Sequence, residues 1–369
     1  MATLLAAPLI PRCSAGARPL RGRSTTALRA GAASSSMRSM REEAVARMPR
    51  LAHREVMLAL AREAEARLGG ALLPSEVPAE VTCFGDGAAL GSVDVRRGAP
   101  GSSRMMATLL APSSSGDYNR CFAGGSFAYP ALQGGPSEAG GAHREVMLAL
   151  ACEAEARLGG IRRFEIDFML EAWFHRILPT GTAIDITSLI IFLNGTTDAP
   201  HFLMELIQGG PASLVVLLDL FPRRDLPLHP DYIDKYYGAT GVDDHRRSIT
   251  RVPEVRPYVS PSLLVRSLWS PTAVVVDVQC GEKNGAVLEE IVVGQVATSA
   301  MAVLGVWLEH CVASVVEMET AERESLVARD KMISTTSVKP NLSANLPKMF
   351  ENDVSDRVVA EINKAFLGL

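Results

Sequence analysis

Between Thr182 and Cys280 the chain passes through five short apolar segments rich in Val, Ile, Leu and Phe, each bounded by Gly, Pro, Asn or Asp. They are TAIDITSLIIFLN (Thr182 to Asn194), HFLMELIQ (His201 to Gln208), SLVVLLDLF (Ser213 to Phe221), SLLVRSLW (Ser262 to Trp269) and TAVVVDVQC (Thr272 to Cys280). Such segments predict β-strands. The first three are joined by NGTTDAP and GGPA, links too short for a crossover helix, so these strands should run antiparallel. Side chains alternate along a strand, which puts His201, Leu203, Glu205 and Ile207 on one face and Phe202, Met204, Leu206 and Gln208 on the other. A single acid, Glu205, therefore lies among apolar neighbours. An ionised carboxylate in such a place costs several kcal/mol or more, so it protonates, finds a partner or does chemistry. The bland alternative is a side chain that reaches solvent or an arginine.

Helical spacing marks other regions. Val296, Ala300, Leu304, Trp307, Cys311 and Val315 form a stripe that should pack on the sheet, in a helix whose longest uncharged part, Gln295 to Leu308, is too short to span a bilayer. The protein is thus expected not to be transmembrane. Val354 to Phe366 shows the same pattern near the C-terminus. At the front, AHREVMLALAREAEARLGG (Ala52 to Gly70) returns as AHREVMLALACEAEARLGG (Ala142 to Gly160), and MATLLA at Met106 echoes Met1. Two partial copies do not make a solenoid. A recent duplication or a mis-assembled reading frame explains them better. One docking site can take one helix, with the stripe Val56, Leu60, Ala64, Leu68 or its duplicate Val146, Leu150, Ala154, Leu158. The first copy is expected to dock and residues 103–160, rich in Gly, Ser and Pro from Pro112 to Gly141, to loop out as an insertion. The reverse choice stays open.

Charge adds an address. The first 41 residues hold seven arginines, many Ser, Thr and Ala, and no acid before Glu42, the composition of an organellar transit peptide, most simply for a chloroplast. Without these arginines the formal charge of −4 becomes −11, so the remaining body would not attract nucleic acid or an acidic partner except through a local basic patch. Arg223, Arg224, Lys235, Arg246, Arg247, Arg251, Arg256 and Arg266 supply candidates. With residues 1–41 and the insertion set aside, roughly 270 residues remain, enough for a single domain, 42–369, with a full core. The six cysteines include no CxxC pair, the seven histidines no HxxxH or HExxH, and no GxGxxG opens a helix after a strand. No metal, iron–sulfur or dinucleotide site is therefore expected, and a redox role would need electrons from a partner.

From Trp173 to Pro271 the chain resembles the red chlorophyll catabolite reductases of plants, through WFHRILPTGTAIDITSLIIFLN, APHFLMELIQ, LVVLLDLFPRRDLPLHPDYIDKYY and DDHRRSITRVPEVRPYVSPSLLVRS. The likeness resumes in VLGVWLEHCV, LPKMF and VSDRVVAEINKAF. It implies an α/β (α+β) fold like that of the ferredoxin-dependent bilin reductases, a central antiparallel β-sheet sandwiched between α-helices, with the tetrapyrrole between the sheet and one helical layer. It also implies reduction of the linear red catabolite to the primary fluorescent catabolite during chlorophyll breakdown. Reduced ferredoxin would be the external electron donor, with no bound cofactor, and the chain would form a homodimer, for which no interface motif is visible.

The resemblance carries over four residues. Glu205 corresponds to a family glutamate implicated in substrate binding and reduction. A buried carboxyl that stays protonated near neutrality could feed protons to a pigment receiving single electrons. Trp269 falls at an aromatic position placed against the tetrapyrrole, although core filling would also explain it. Asn341 stands where relatives have an aspartate, and an amide hydrogen-bonds but does not deliver a proton. Asp330 is the fallback acid. Arg266, read as sharing a strand face with Leu264 and Leu268, could pair with a propionate, or be a surface arginine. Asn341 also motivates a second reading, a tetrapyrrole-binding protein without turnover.

Overall fold

Antiparallel pairing links every neighbour in an eight-stranded sheet of order β1-β2-β3-β4-β5-β6-β8-β7. The computed structural model describes residues 49–99 and 165–367, except Gly87, Glu282, Lys283, Ala313 and Val315. The strands are β1 (Phe84–Asp86), β2 (Ala89–Arg97), β3 (Ile166–Ile177), β4 (Ala183–Leu193), β5 (His201–Gly210), β6 (Ser213–Phe221), β7 (Val255–Pro257) and β8 (Val274–Gln279). The three strands expected from their short links are β4, β5 and β6, and Glu205 sits between Ser188 on one neighbour and Leu217 on the other. Between β3 and β4 the chain reverses in a tight turn. Leu178 N–H donates to Thr182 O at 2.8 Å and Gly181 takes φ +83°, a conformation that other side chains resist.

The helices are α1 (Ala52–Leu68), α2 (Ala79–Thr82), α3 (Pro230–Ile233), α4 (Val242–Ile249), α5 (Leu263–Leu268), α6 (Gly285–His310), α7 (Thr320–Ile333), α8 (Lys339–Met349) and α9 (Asn352–Leu367). They form two layers. On one face α1 lies against α6 and β4, and its stripe Val56, Leu60, Ala64 and Leu68 is buried as expected. Phe202 of β5 meets Trp307 of α6 with ring centroids 6.0 Å apart, and Trp307 Nε1 donates to Pro200 O at 2.9 Å. On the other face α9 packs on β2 and β3, and a continuous core joins Leu203, Ile207, Leu217, Ile190 and Phe192 to Ile333, Leu342, Leu346, Ile362 and Phe366. Phe84, Phe174 and Phe350 close one end, and the Phe84 ring lies so near Gly91 that an added Cβ would meet it at 2.2 Å. The duplicated sequence from Ala142 to Gly160 and the arginine-rich start lie outside the described residues.

Three expectations need correction. Ser262 to Trp269 is not a strand but contains α5: Ser262 Oγ accepts from Val265 N–H at 3.3 Å, a helix N-cap, and the buried residues Val265 and Leu268 are three apart. Arg266 therefore shares no strand face with Leu264 and Leu268. It is exposed. Helix α6 begins ten residues before Gln295 and, at 26 residues, is by length and composition alone long and apolar enough to cross a membrane. Its stripe Val296, Ala300, Leu304 and Trp307 is nevertheless buried, so its apolarity serves the core, while Val315 lies outside the described residues. Strands β1, β2, β3 and β7 were not anticipated.

Candidate active site

Glu205 has no solvent exposure. Its position in the middle of β5, flanked by β4 and β6 and capped by the α7–α9 layer, follows from the strand alternation. Ser188 of β4, directly opposite, donates its hydroxyl to Glu205 Oε1 at 3.1 Å. One polar contact of this kind replaces part of the water that a carboxyl gives up on burial.

The other ionisable groups on this face are arranged differently. His201 is wholly buried and stacked on Phe192, with centroids 3.8 Å apart. Its Nδ1 accepts from Leu193 N–H at 3.0 Å, which leaves Nε2 as the donor to Asp330 Oδ1 at 3.1 Å. Burial pushes the His201 imidazole down to about 4, with the nearby Arg223 and Arg329 adding to the effect and Asp330 opposing it, so the ring is neutral at physiological pH. Asp330 in turn accepts from Arg223 at 2.6 Å. Burial raises the Asp330 carboxyl, but His201 and Arg223 more than offset it and hold it below the usual range. Arg223 is 1 % exposed and also donates to the carbonyls of Asn194 (2.8 Å) and Thr197 (2.5 Å). It joins β6, the β4–β5 loop and α7, and so leaves the expected basic docking patch. Arg224 is likewise paired, with Asp198 and Glu322. Arg247, Arg251, Arg256 and Arg266 are exposed.

A second buried carboxyl on this face was overlooked. Asp219 of β6 is 2 % exposed and pairs with Leu203 as Leu217 pairs with Glu205, so the two acids are diagonal neighbours. Asp219 Oδ2 accepts from Ser270 N–H at 2.9 Å, and Oδ1 lies 2.5 Å from Ser270 Oγ. Burial pushes its carboxyl up to about 7, against hydrogen bonds from Ser270 and the Leu220 backbone that lower it. The signal was present in the sequence: SLVVLLDLF contains one acid among apolar residues, as HFLMELIQ does.

Trp269 is partly buried against this core, with its ring perpendicular to Phe221 at 6.0 Å. Its Nε1–H is buried without an acceptor among the described residues. Asn341, near the start of α8, is partly buried and donates from Nδ2 to Ser337 O at 3.0 Å, beside the core residue Leu342. Glu205 and Trp269 therefore border one buried region, Asn341 lies at its helical roof, and Arg266 stands outside. Among the described residues no three His, Cys, Asp or Glu side chains converge as a metal site.

The opposite face carries an open cleft of about 600 Å³ at the start of α1, lined by Arg50, His53, Thr180, Asp185, Gln208 and Glu289. Here His175 Nδ1 lies 2.6 Å from Asp185 and His53 Nδ1 lies 3.2 Å from Thr187 Oγ1. Both polar clusters are internal pairs.

The family described as red chlorophyll catabolite reductase (RCC reductase) matches residues 52–111 and 159–364. Red chlorophyll catabolite reductase 1, chloroplastic, of Oryza sativa subsp. japonica is 44% identical over 97% of this chain and 90% of its own length. The red chlorophyll catabolite reductase of Hordeum vulgare is 55% identical over 54% of this chain and 98% of its own. The chloroplastic enzyme of Arabidopsis thaliana is 45% identical over 58% of this chain and 68% of its own. Among solved structures, tomato phytochromobilin synthase in complex with biliverdin aligns with a TM-score of 0.52 at 12% identity, over 86% of this chain and 84% of that one. That likeness concerns the fold.

Proposed function

For a chain that belongs to the red chlorophyll catabolite reductase family, we propose a chloroplast reductase that converts the linear red chlorophyll catabolite to the primary fluorescent catabolite with electrons from reduced ferredoxin. The observation that carries this reading is the placement of Glu205, an acid without solvent exposure on a sheet face roofed by α7–α9 and bordered by Trp269. Reduction of the methine bridge breaks one C=C π bond and forms two C–H bonds. It consumes two protons and two electrons, and two one-electron donors are oxidised. Each electron added to a conjugated tetrapyrrole raises its basicity, so a positioned acid is the protein's main chemical contribution.

In this account Glu205 in its acid form protonates the reduced pigment, Ser188 holds the carboxyl in position, and the flat Trp269 ring offers a stacking surface and an N–H for a lactam carbonyl. Exclusion of water by the roof protects the radical formed after the first electron. Asn341 would orient a pyrrole or lactam group without transferring a proton.

Asn341 also supports a second reading, in which the protein binds and sequesters the pigment without turning it over. An anaerobic assay with reduced ferredoxin and the red catabolite separates the two. Fluorescent product supports the reductase, and bound pigment with no product supports the binder. In the latter case, product restored by Asn341→Asp would locate the defect at that position.

A further inference from the structure

We propose that Asp219, Ser270 and Thr272 form a proton relay that supplies the second proton of the reduction. The proposal rests on the reductase reading above. Two protons are needed per turnover, and Glu205 carries one into a region without solvent exposure. On the same face His201 is held between Leu193 N–H and Asp330, and Asp330 is held by Arg223. Those groups are already committed to one another. Among the described residues of β4, β5 and β6, Asp219 is the remaining carboxyl on this face, while Asp277 of β8 shares the face but is partly exposed.

Its geometry suits delivery. Diagonal partners across an antiparallel pair lie about 7–8 Å apart, a separation that a linear tetrapyrrole spans with room to spare. Behind Asp219 runs a chain of hydroxyls: Ser270 Oγ is 2.5 Å from Asp219 Oδ1 and 3.0 Å from Thr272 Oγ1. A hydroxyl both donates and accepts, so a proton can pass by exchange of O–H bonds. Thr272 receives one from solvent and passes one to Ser270, Ser270 passes one to Asp219, and Asp219 gives one to the pigment. Each hydroxyl ends as it began, and Asp219 is reprotonated for the next turnover. Thr272 lies between exposed Pro271 and partly buried Ala273, at the outer end of the chain of groups.

Two further observations agree. Ser270 follows Trp269, whose buried Nε1–H has no acceptor among the described residues and so has a donor to offer a bound pigment. The Asp219 carboxyl, pushed up to about 7, keeps a proton at a pH where an exposed aspartate has lost it. Glu205 lies diagonally across from it, and Tyr237, whose hydroxyl donates to Leu220 O at 2.8 Å, is a further titratable neighbour.

The test is anaerobic single turnover with reduced ferredoxin. The radical is followed by electron paramagnetic resonance, the product by fluorescence and pigment binding by absorption. Asp219→Asn keeps an acceptor for Ser270 N–H but has no proton to give. We expect binding within about threefold of wild type, normal radical formation, and radical decay slowed by about 100-fold. Thr272→Val, at the far end, should slow decay several-fold with binding unchanged. Wild-type radical decay in Asp219→Asn overturns the relay, as does loss of binding and radical formation together, which would mark a structural role. If Asp219→Asn does not fold, unchanged decay in Thr272→Val overturns it. A wild-type protein that binds pigment without product sinks the reductase reading and the relay with it, whereas a working wild type with working variants sinks the relay alone.

Discussion

The replacement Asp219→Asn should change the pH dependence of stability in a calculable way. Burial pushes the Asp219 carboxyl from its ordinary value of 3.8 up to about 7. Below pH 3.8 the carboxyl is protonated in both the folded and the unfolded chain and contributes no difference. Between 3.8 and about 7 the unfolded chain releases a proton that the folded chain retains, so stability falls with rising pH by about 1.36 kcal/mol per unit. Above about 7 both forms are ionised and the loss levels off, on the order of 4 kcal/mol. Asparagine does not titrate. Urea unfolding of both proteins at pH 5 and pH 8 should show the variant gaining about 3 kcal/mol relative to wild type between the two. Parallel pH profiles would refute a protonated, buried Asp219.

Substitutions at two positions and one deletion test separate parts of the structure. Asp330→Asn leaves Arg223 buried without its counter-ion and should cost about 3–5 kcal/mol in urea unfolding, whereas a cost below about 1 kcal/mol would remove the network from the account. Trp269→Ala should weaken pigment binding about threefold to tenfold through lost stacking, with partial recovery in Trp269→Phe, and unchanged binding in both would return Trp269 to core filling. Deletion of residues 103–160 should leave the melting temperature and pigment binding within error of the full chain if that segment loops out. A deletion variant that fails to fold, in two different joining designs, contradicts the proposal.

The strands were legible where alternation and short links coincided. HFLMELIQ and SLVVLLDLF, separated by four residues, fixed both the pairing and the face of Glu205. Strands β2 and β3 were harder to see because both of their faces are occupied. ALGSVDVRR and IDFMLEAWFHRI place Asp94, Arg96, Glu171 and His175 toward the α1 side, where Arg96 pairs with Glu65, Asp94 and Glu171, so polar residues blur the period. SLLVRSLW misled through its Leu and Val content, although Ser262 three residues before Val265 is a capping signal. Glu205 could be found from sequence because one acid interrupts an apolar strand. Its partner Ser188, and the link from Asp219 to Ser270, depend on register and on a contact across 51 residues, which no local pattern records.

The claim that matters most is that the acid buried on β5 gives its proton to the pigment. Glu205→Gln preserves shape and a hydrogen bond with Ser188 while removing the transferable proton. In anaerobic single turnover with reduced ferredoxin, the variant should bind the red catabolite with near wild-type affinity and form the radical. It should yield fluorescent product at least about 100-fold more slowly. Product appearing at the wild-type rate would show that the proton comes from elsewhere.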